Sequence, residues 1–279
     1  MQHVKPIMVI DLFPQERKQL LELFSELEAE DWEKPTICPG WTVKDIGLHL
    51  LGDDIGYLSG ARDHFSNPFL RSKDLQEWKS LVISINEANE LWVKATARIS
   101  PKLLSDLLAL TGKQFYEYMQ SLDQMATGRV VSWAGPEPAP VWLDTAREYT
   151  ERWLHQQQIR DAVKKPGLKE KRFFHPVLDT FVRALPHTYK DIPVVDPTVL
   201  KFIVTGEAGD AWYLVGEANR WSLSQGVELQ PVAVVTMDQE TCWRLFTKGM
   251  NKDQARAQTV IEGDQNLAEK LLETVSIIA

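Results

Sequence analysis

The feature that most constrains this chain is a change of period. Up to Tyr189 the apolar residues recur at helical spacing, and after Ile192-Pro193 they fall into short alternating runs. A face repeating every 3.6 residues and one repeating every two belong to different elements, so the chain is expected to hold two domains of unlike type. Amphipathic segments run from Pro14 to about Glu30, Thr42 to about Arg62, Asp74 to about Ile99 and Lys102 to about Leu122, with another beginning near Val141. Thr42 with Asp45 three residues on forms a capping-box start, and Ser100-Pro101 supplies an N-cap and a first-turn proline. Helical hairpins with short links point to a bundle, for which four long helices are the natural count. Lys164 to Arg172 is charged and broken by Pro-Gly, and Phe173 to Tyr189 is helical again. Strand-like runs follow at 200–205, 211–215, 220–224, 232–237 and 258–262, with helices near 239–247 and 266–275. The expectation is an α+β protein: a helical bundle over 1–165, a linker and connecting helix over 166–190, and a smaller antiparallel α+β domain over 191–279.

Composition narrows the function classes. The 279 residues are 44% hydrophobic, ample for a real core, and carry a net charge of −8 with no Lys/Arg run. A nucleic-acid partner is disfavoured by that charge. The opening residues lack an apolar signal core and no apolar stretch reaches bilayer length, so no membrane association and a cytoplasmic location are expected. Cys38 and Cys242 lie far apart and offer no disulfide framework. A monomer and a homodimer fit equally well.

Polar residues on two of the helices suggest a site. Glu151 and His155 stand four positions apart in a stretch, Ala146 to Asp161, free of proline and glycine. That spacing stacks the two side chains on one helix face, roughly 6 Å apart along the axis. A carboxylate and an imidazole so placed hold one divalent cation if a third ligand comes from elsewhere, and His49 is the best candidate. On its helix Leu48, Leu51, Ile55 and Leu58 form the core face, and His49 points nearly the opposite way, between Asp45 and Asp53. Gly52, Gly56 and Gly60 lie near the His49 side, and each costs roughly 1 kcal/mol in a helix interior. Close helix approach and clearance for a ligand are the two explanations. The plain alternative is a solvated face: Glu151 and His155 share it with Asp144, Arg147, Glu148 and Gln158, while Trp142, Tyr149 and Trp153 face the other way. Arg147 then simply pairs with Glu151.

The stretches Pro35-Thr-Ile-Cys-Pro-Gly-Trp-Thr-Val-Lys-Asp-Ile-Gly-Leu-His49 and Glu151-Arg-Trp-Leu-His155, with Gln158-Ile-Arg160 after it, resemble two motifs of one family. They look like those of mycothiol-dependent maleylpyruvate isomerase-like proteins, whose helical half is a DinB-like metal-binding four-helix bundle. The C-terminal part, through Thr205 to Trp212 and Trp243 to Lys248, resembles the second domain of that family, related to sterol carrier protein type 2. The resemblance implies a divalent metal, zinc first and nickel or another ion as alternatives, held by His49, Glu151 and His155. It also implies a low-molecular-weight thiol as cofactor: mycothiol, with bacillithiol and glutathione unranked beside it.

Three protein ligands leave a coordination position open, as in catalytic zinc sites. The implied activity is a thiol-dependent isomerase or transferase acting on a small, activated or unsaturated, maleylpyruvate-like substrate. An anionic substrate calls for an arginine, with Arg62, Arg147, Arg160, Arg244 and Arg256 as candidates; surface ion pairing is the alternative for each. Asp53 is a further candidate as fourth ligand or imidazole partner. Cys38 reads as a small inert cysteine, and His64 and His175 have no partner at chelating spacing. Two other functions remain open: a non-catalytic small-molecule or lipid binder, on the carrier-like C-terminal part, and a metal-dependent hydrolase in which the same site activates water.

Overall fold

The computed structural model describes residues 2–65, 78–195 and 197–277. The chain divides into two compact units that interleave: Val9–Asp123 with Glu151–Leu168, and Met1–Met8 with Gln124–Thr150 and Lys169–Ile278. The sequence places a boundary at residue 165. In the structure the division falls inside one long helix, which gives its first half to one unit and its second half to the other.

The helical unit contains α1 (Phe13–Ser25), α2 (Ala29–Trp32), α3 (Val43–Tyr57), α4 (Trp78–Thr96), α5 (Pro101–Ser121) and the second half of α6 (Val141–Val163). The expected start of α4 at Asp74 lies outside the described residues. Local chemistry sets the other starts. The Thr42 hydroxyl accepts from the Asp45 amide while the Asp45 carboxylate accepts from the Thr42 amide, so two orphan N–H groups are satisfied at the head of α3. Ser100 caps α5 in the same way through the Leu103 amide, with Pro101 in the first turn. Leu20, Phe24, Val43, Ile46, Leu48, Leu51, Leu104, Leu108 and Ile159 fill the core. Ile55, expected on that face, is 37% exposed.

The segment before α3 is a closed loop. Cys38-Pro39-Gly40-Trp41 is a turn in which the Trp41 amide donates to the Cys38 carbonyl at 3.1 Å. Gly40 sits at φ +80°, the left-handed conformation that the third position of a type II turn needs after a proline. Pro35 and Thr42 then pair as an isolated antiparallel bridge, so Cys38 and Trp41 are held at the entry to α3.

In the mixed unit, six strands stand in the order β1-β6-β5-β4-β7-β8. These are β1 (Gln2–His3), β4 (Thr198–Thr205), β5 (Asp210–Glu217), β6 (Arg220–Gly226), β7 (Ala233–Asp238) and β8 (Val260–Gly263). All neighbours pair antiparallel except β4 and β7, which run parallel. A small hairpin of β2 (Thr127–Val130) and β3 (Pro138–Pro140) belongs to the same unit. The helix expected over 173–189 is interrupted: α7 (Lys171–Phe181), a 3-10 turn, then α8 (Leu185–Thr188). Pro186 has no N–H for the Val182 carbonyl, which breaks the ladder there. The remaining helices are α9 (Gln239–Phe246), α10 (Lys252–Ala257), for which hydrophobic spacing gives no sign, and α11 (Gln265–Lys270).

Candidate metal centre

Within the helical unit, α3 and α6 bring His49 and His155 together. Their Nε2 atoms are 3.1 Å apart and the rings meet edge to face at 83°. Each imidazole has a carboxylate one turn away on its own helix: Asp53 Oδ2 is 3.3 Å from His49 Nε2, and Glu151 Oε2 is 3.7 Å from His155 Nε2. The rings are buried, at 7% and 9% exposure, while the side chains of Asp53 and Glu151 remain partly exposed. Two nitrogens therefore lie inside and two carboxylates at the rim.

This overturns the solvent face that periodicity assigned to α6. Every residue from Arg152 to Arg160 is buried. The hydrophobic pattern misleads because the polar side chains of α6 meet polar groups buried on other helices. Arg152 Nη2 donates to Asp54 Oδ1 at 2.9 Å, and Arg17 Nη1 donates to Asp54 Oδ2 at 2.7 Å. Gln156 Nε2 donates to Glu16 Oε1 at 2.6 Å. A charge withdrawn from water needs such partners, so the helix at the centre of this unit is built from Arg, Gln and His.

That burial sets the chemistry of the two imidazoles. Removal from water, with the Arg152 charge adding to it, pushes His49 down to about 4. Burial, then the neighbouring His49, takes His155 down to about 4. Both rings are neutral near pH 7, the form in which a ring nitrogen offers a lone pair to a cation. His155 Nδ1 is 2.8 Å from Gln158 Oε1, and the Cys38 thiol donates to the same oxygen at 3.3 Å. The Trp41 ring lies against His49 with centroids 5.2 Å apart, and its indole N–H donates to Glu90.

The donor set suits a divalent ion of intermediate softness: two neutral imidazoles and two carboxylates. Ligands at zinc-nitrogen distances around a tetrahedral ion stand about 3.3 Å apart, close to the spacing of the two Nε2 atoms. Among the described residues, no three His, Cys, Asp or Glu side chains already stand in a coordination arrangement. The two Nε2 atoms are at hydrogen-bonding distance, so in the metal-free chain a proton on either one can be shared with the other.

The glycines divide between the two explanations. A Cβ at Gly52 would fall 2.6 Å from Trp92 Nε1, and that indole donates to the Leu48 carbonyl at 2.7 Å. Gly52 is a close-approach glycine. Gly56 has nothing within 4 Å of where its Cβ would stand, so it leaves open space one turn beyond Asp53.

Of the candidate arginines, Arg160 is a clamp: it donates to Gln156 Oε1, the Pro166 carbonyl and the Gln19 carbonyl. Arg62 pairs with Asp63 and Gln114. Arg147, Arg244 and Arg256 belong to the mixed unit, where they meet Asp144 and Glu148, Glu240, and Glu269 respectively. Arg147 is thus engaged upstream on α6. His175 is in that unit too, its Nδ1 at 3.0 Å from the Ala208 carbonyl. Asp54, Arg152 and Gln158 are residues to which spacing and composition assign no role. For Arg152 and Gln158 the available signal is that the second half of α6 mixes Arg, Gln and His with its apolar residues around the whole helix; for Asp54 there is none.

Residues 13–160 match the family model described as the mycothiol maleylpyruvate isomerase N-terminal domain. The chain belongs to this family. Two relatives of this member of the mycothiol maleylpyruvate isomerase family, uncharacterized proteins from two strains of Mycobacterium tuberculosis, are 28% identical to it over 202 residues. The match covers 71% of this chain and 72% of theirs. Crystal structures of the mycothiol-dependent maleylpyruvate isomerase and of a point mutant of it share the fold. They align with a TM-score of 0.51 at 11% identity, over 88% of this chain and 91% of theirs. A ubiquinone synthesis protein of the SCP2 type aligns with 37% of this chain at a TM-score of 0.26, which assigns nothing.

Proposed function

We propose that this chain is a metal-dependent isomerase or transferase that uses a low-molecular-weight thiol of the mycothiol type on a small unsaturated, maleylpyruvate-like substrate. The observation that carries the reading is the convergence of two buried, neutral imidazoles, His49 and His155, at 3.1 Å with Glu151 and Asp53 beside them. His49, His155 and Glu151 would hold the ion, with Asp53 as fourth donor or as partner of His49. A divalent cation there supplies acidity, holding a thiol as its anion near neutral pH. The chain's own residues supply the rest. Each buried neutral ring has one bare nitrogen to offer, and Glu151 and Asp53 bring negative charge that would offset the ion. Family membership supports the thiol, because the family is defined by a mycothiol-dependent enzyme. No helix among the described residues is long and apolar enough to cross a membrane.

Protein purified without chelator should retain about one divalent ion per chain, measured by elemental analysis. The His49→Ala and His155→Ala variants should lose it; metal content unchanged in both removes the ligand assignment. The metal-loaded protein should then melt at a higher temperature with one of mycothiol, bacillithiol or glutathione, since a ligand that binds only the folded state stabilises it by mass action. No shift with any of the three, at concentrations far above a physiological thiol pool, refutes the thiol reading.

A further inference from the structure

Gln158 lies one turn after His155 on α6, is 8% exposed, and points its amide oxygen at the inner edge of the imidazole. Two groups converge on that oxygen: His155 Nδ1, which donates or accepts according to its tautomer, at 2.8 Å, and the Cys38 thiol, a donor, at 3.3 Å. A carbonyl oxygen has two lone pairs, one for the thiol and one for a proton on Nδ1. Cys38 is itself fixed, because its amide donates to Thr36 Oγ1 at 3.2 Å and its carbonyl closes the turn to Trp41. The loop before α3 thus reaches across to the ring on α6 through one side chain.

We propose that Gln158 is a positioning residue whose oxygen, shared by the His155 Nδ1–H and the Cys38 thiol, fixes the His155 tautomer that leaves Nε2 bare toward His49 and Glu151. The alternative orientation of the amide places its NH2 group against Nδ1. It would force the ring proton onto Nε2 and close that nitrogen to a cation. It would also set the amide N–H against sulfur, a weak acceptor, in place of a thiol donating to oxygen. The orientation with oxygen inward satisfies both neighbours. An outer partner that holds one ring nitrogen protonated raises the basicity of the other and fixes the plane of the ring, and its loss weakens metal binding 10- to 100-fold. The purpose of this arrangement rests on the metal reading above; the tautomer does not, and is measurable without any metal.

Long-range proton–nitrogen correlation spectra of the metal-stripped full chain, labelled with nitrogen-15, distinguish the protonated from the bare nitrogen of each ring. The His155 signals are identified by their loss in His155→Ala. The expected result is a proton on Nδ1 of His155 in the wild type and in Gln158→Glu, whose carboxylate also accepts, and a mixture or the opposite tautomer in Gln158→Met. Zinc affinity, read by competition with a chelating dye, should fall about 10- to 100-fold in Gln158→Met and recover in Gln158→Glu. A wild-type proton on Nε2 of His155 overturns the proposal whatever the variants do. So does a Gln158→Met protein that keeps both the wild-type tautomer and the wild-type zinc affinity. If the tautomer depends on Gln158 as expected but wild-type protein binds no zinc, the positioning role stands and the metal reading falls. Should Gln158→Met fail to fold, the wild-type spectrum and Gln158→Glu still decide.

Discussion

Asp54 offers the sharpest test of the charges buried around α6. Its carboxylate is fully buried, and its four neighbours are all donors: Arg17 Nη1 at 2.7 Å, Arg17 Nη2 at 3.2 Å, Arg152 Nη2 at 2.9 Å and Thr111 Oγ1 at 2.7 Å. Asp54→Ala leaves two guanidinium groups facing a cavity. Breaking a buried ion pair by removing one partner costs about 3–5 kcal/mol, and losing the partner of two cations puts this case in the upper half, about 4–5 kcal/mol. Glu16 is a weak substitute, because burial pushes its own carboxyl up. Asp54→Asn keeps the shape but not the chemistry: whichever way the amide turns, its NH2 meets an arginine N–H, and a cost of about 3 kcal/mol remains. The pH dependence follows. Burial alone works to raise the Asp54 carboxyl, but the charges of Arg17 and Arg152, with hydrogen bonds from Arg17 and Thr111, outweigh it and hold the group below the usual carboxylate range. A folded pKa below the unfolded one makes this stabilisation complete above about pH 4 and removes it as pH falls through the folded value. Urea unfolding followed by amide exchange on α3 and α5 isolates the helical unit from the mixed one. An Asp54→Asn protein within about 1 kcal/mol of wild type would falsify the account, since no donor-only shell tolerates that swap.

Three further outcomes follow from the same structure. With His49 and His155 both pushed down to about 4, the unfolded chain takes up protons before the folded one does. Stability of the metal-free protein should therefore fall as pH drops from about 6.5 to about 4; a urea midpoint that moves no more in wild type than in the His49→Ala, His155→Ala double variant refutes this. Gly52→Ala forces the Trp92 indole aside and should cost about 1–3 kcal/mol, whereas Gly56→Ala meets open space and should gain up to about 1 kcal/mol; melting temperatures shifted equally in both would contradict the packing described. Burial raises both thiols, but Cys38 is partly exposed and Cys242 is fully buried. Iodoacetamide on the native protein should mark Cys38 alone, and mass spectrometry showing Cys242 labelled first would reverse that order.

Elements whose cause is local were legible in the sequence. Thr42 and Asp45 announced α3, Ser100 and Pro101 announced α5, and alternation announced the strands from Thr198 onward. Spacing and resemblance single out His49, Glu151 and His155; the structure sets the two imidazoles 3.1 Å apart, with Glu151 3.7 Å from His155. What the sequence hid is long-range. Arg152 and Asp54 are 98 residues apart, and Gln156 and Glu16 are 140 apart. Hydrophobic periodicity is blind to a helix that buries polar groups against other polar groups, so a buried face of α6 reads as a solvated one. The parallel pairing of β4 with β7 was hidden for a related reason: alternation fixes which face a residue takes, not the direction of the neighbouring strand.

The division of α6 has a consequence for the order in which the protein is made. Everything from Val9 to Asp123 leaves the ribosome before any of Glu151–Leu168, and a stretch of the other unit is synthesised in between. A nascent chain that has reached residue 123 already carries Arg17 and Asp54, with His49 and Cys38, but has neither Arg152 nor His155 nor Gln158. The bundle can collapse early only around an incomplete charge network, and it closes when the last helix arrives to supply the second arginine. The two residues that complete the candidate metal centre, Glu151 and His155, are thus the same late arrivals that finish the core.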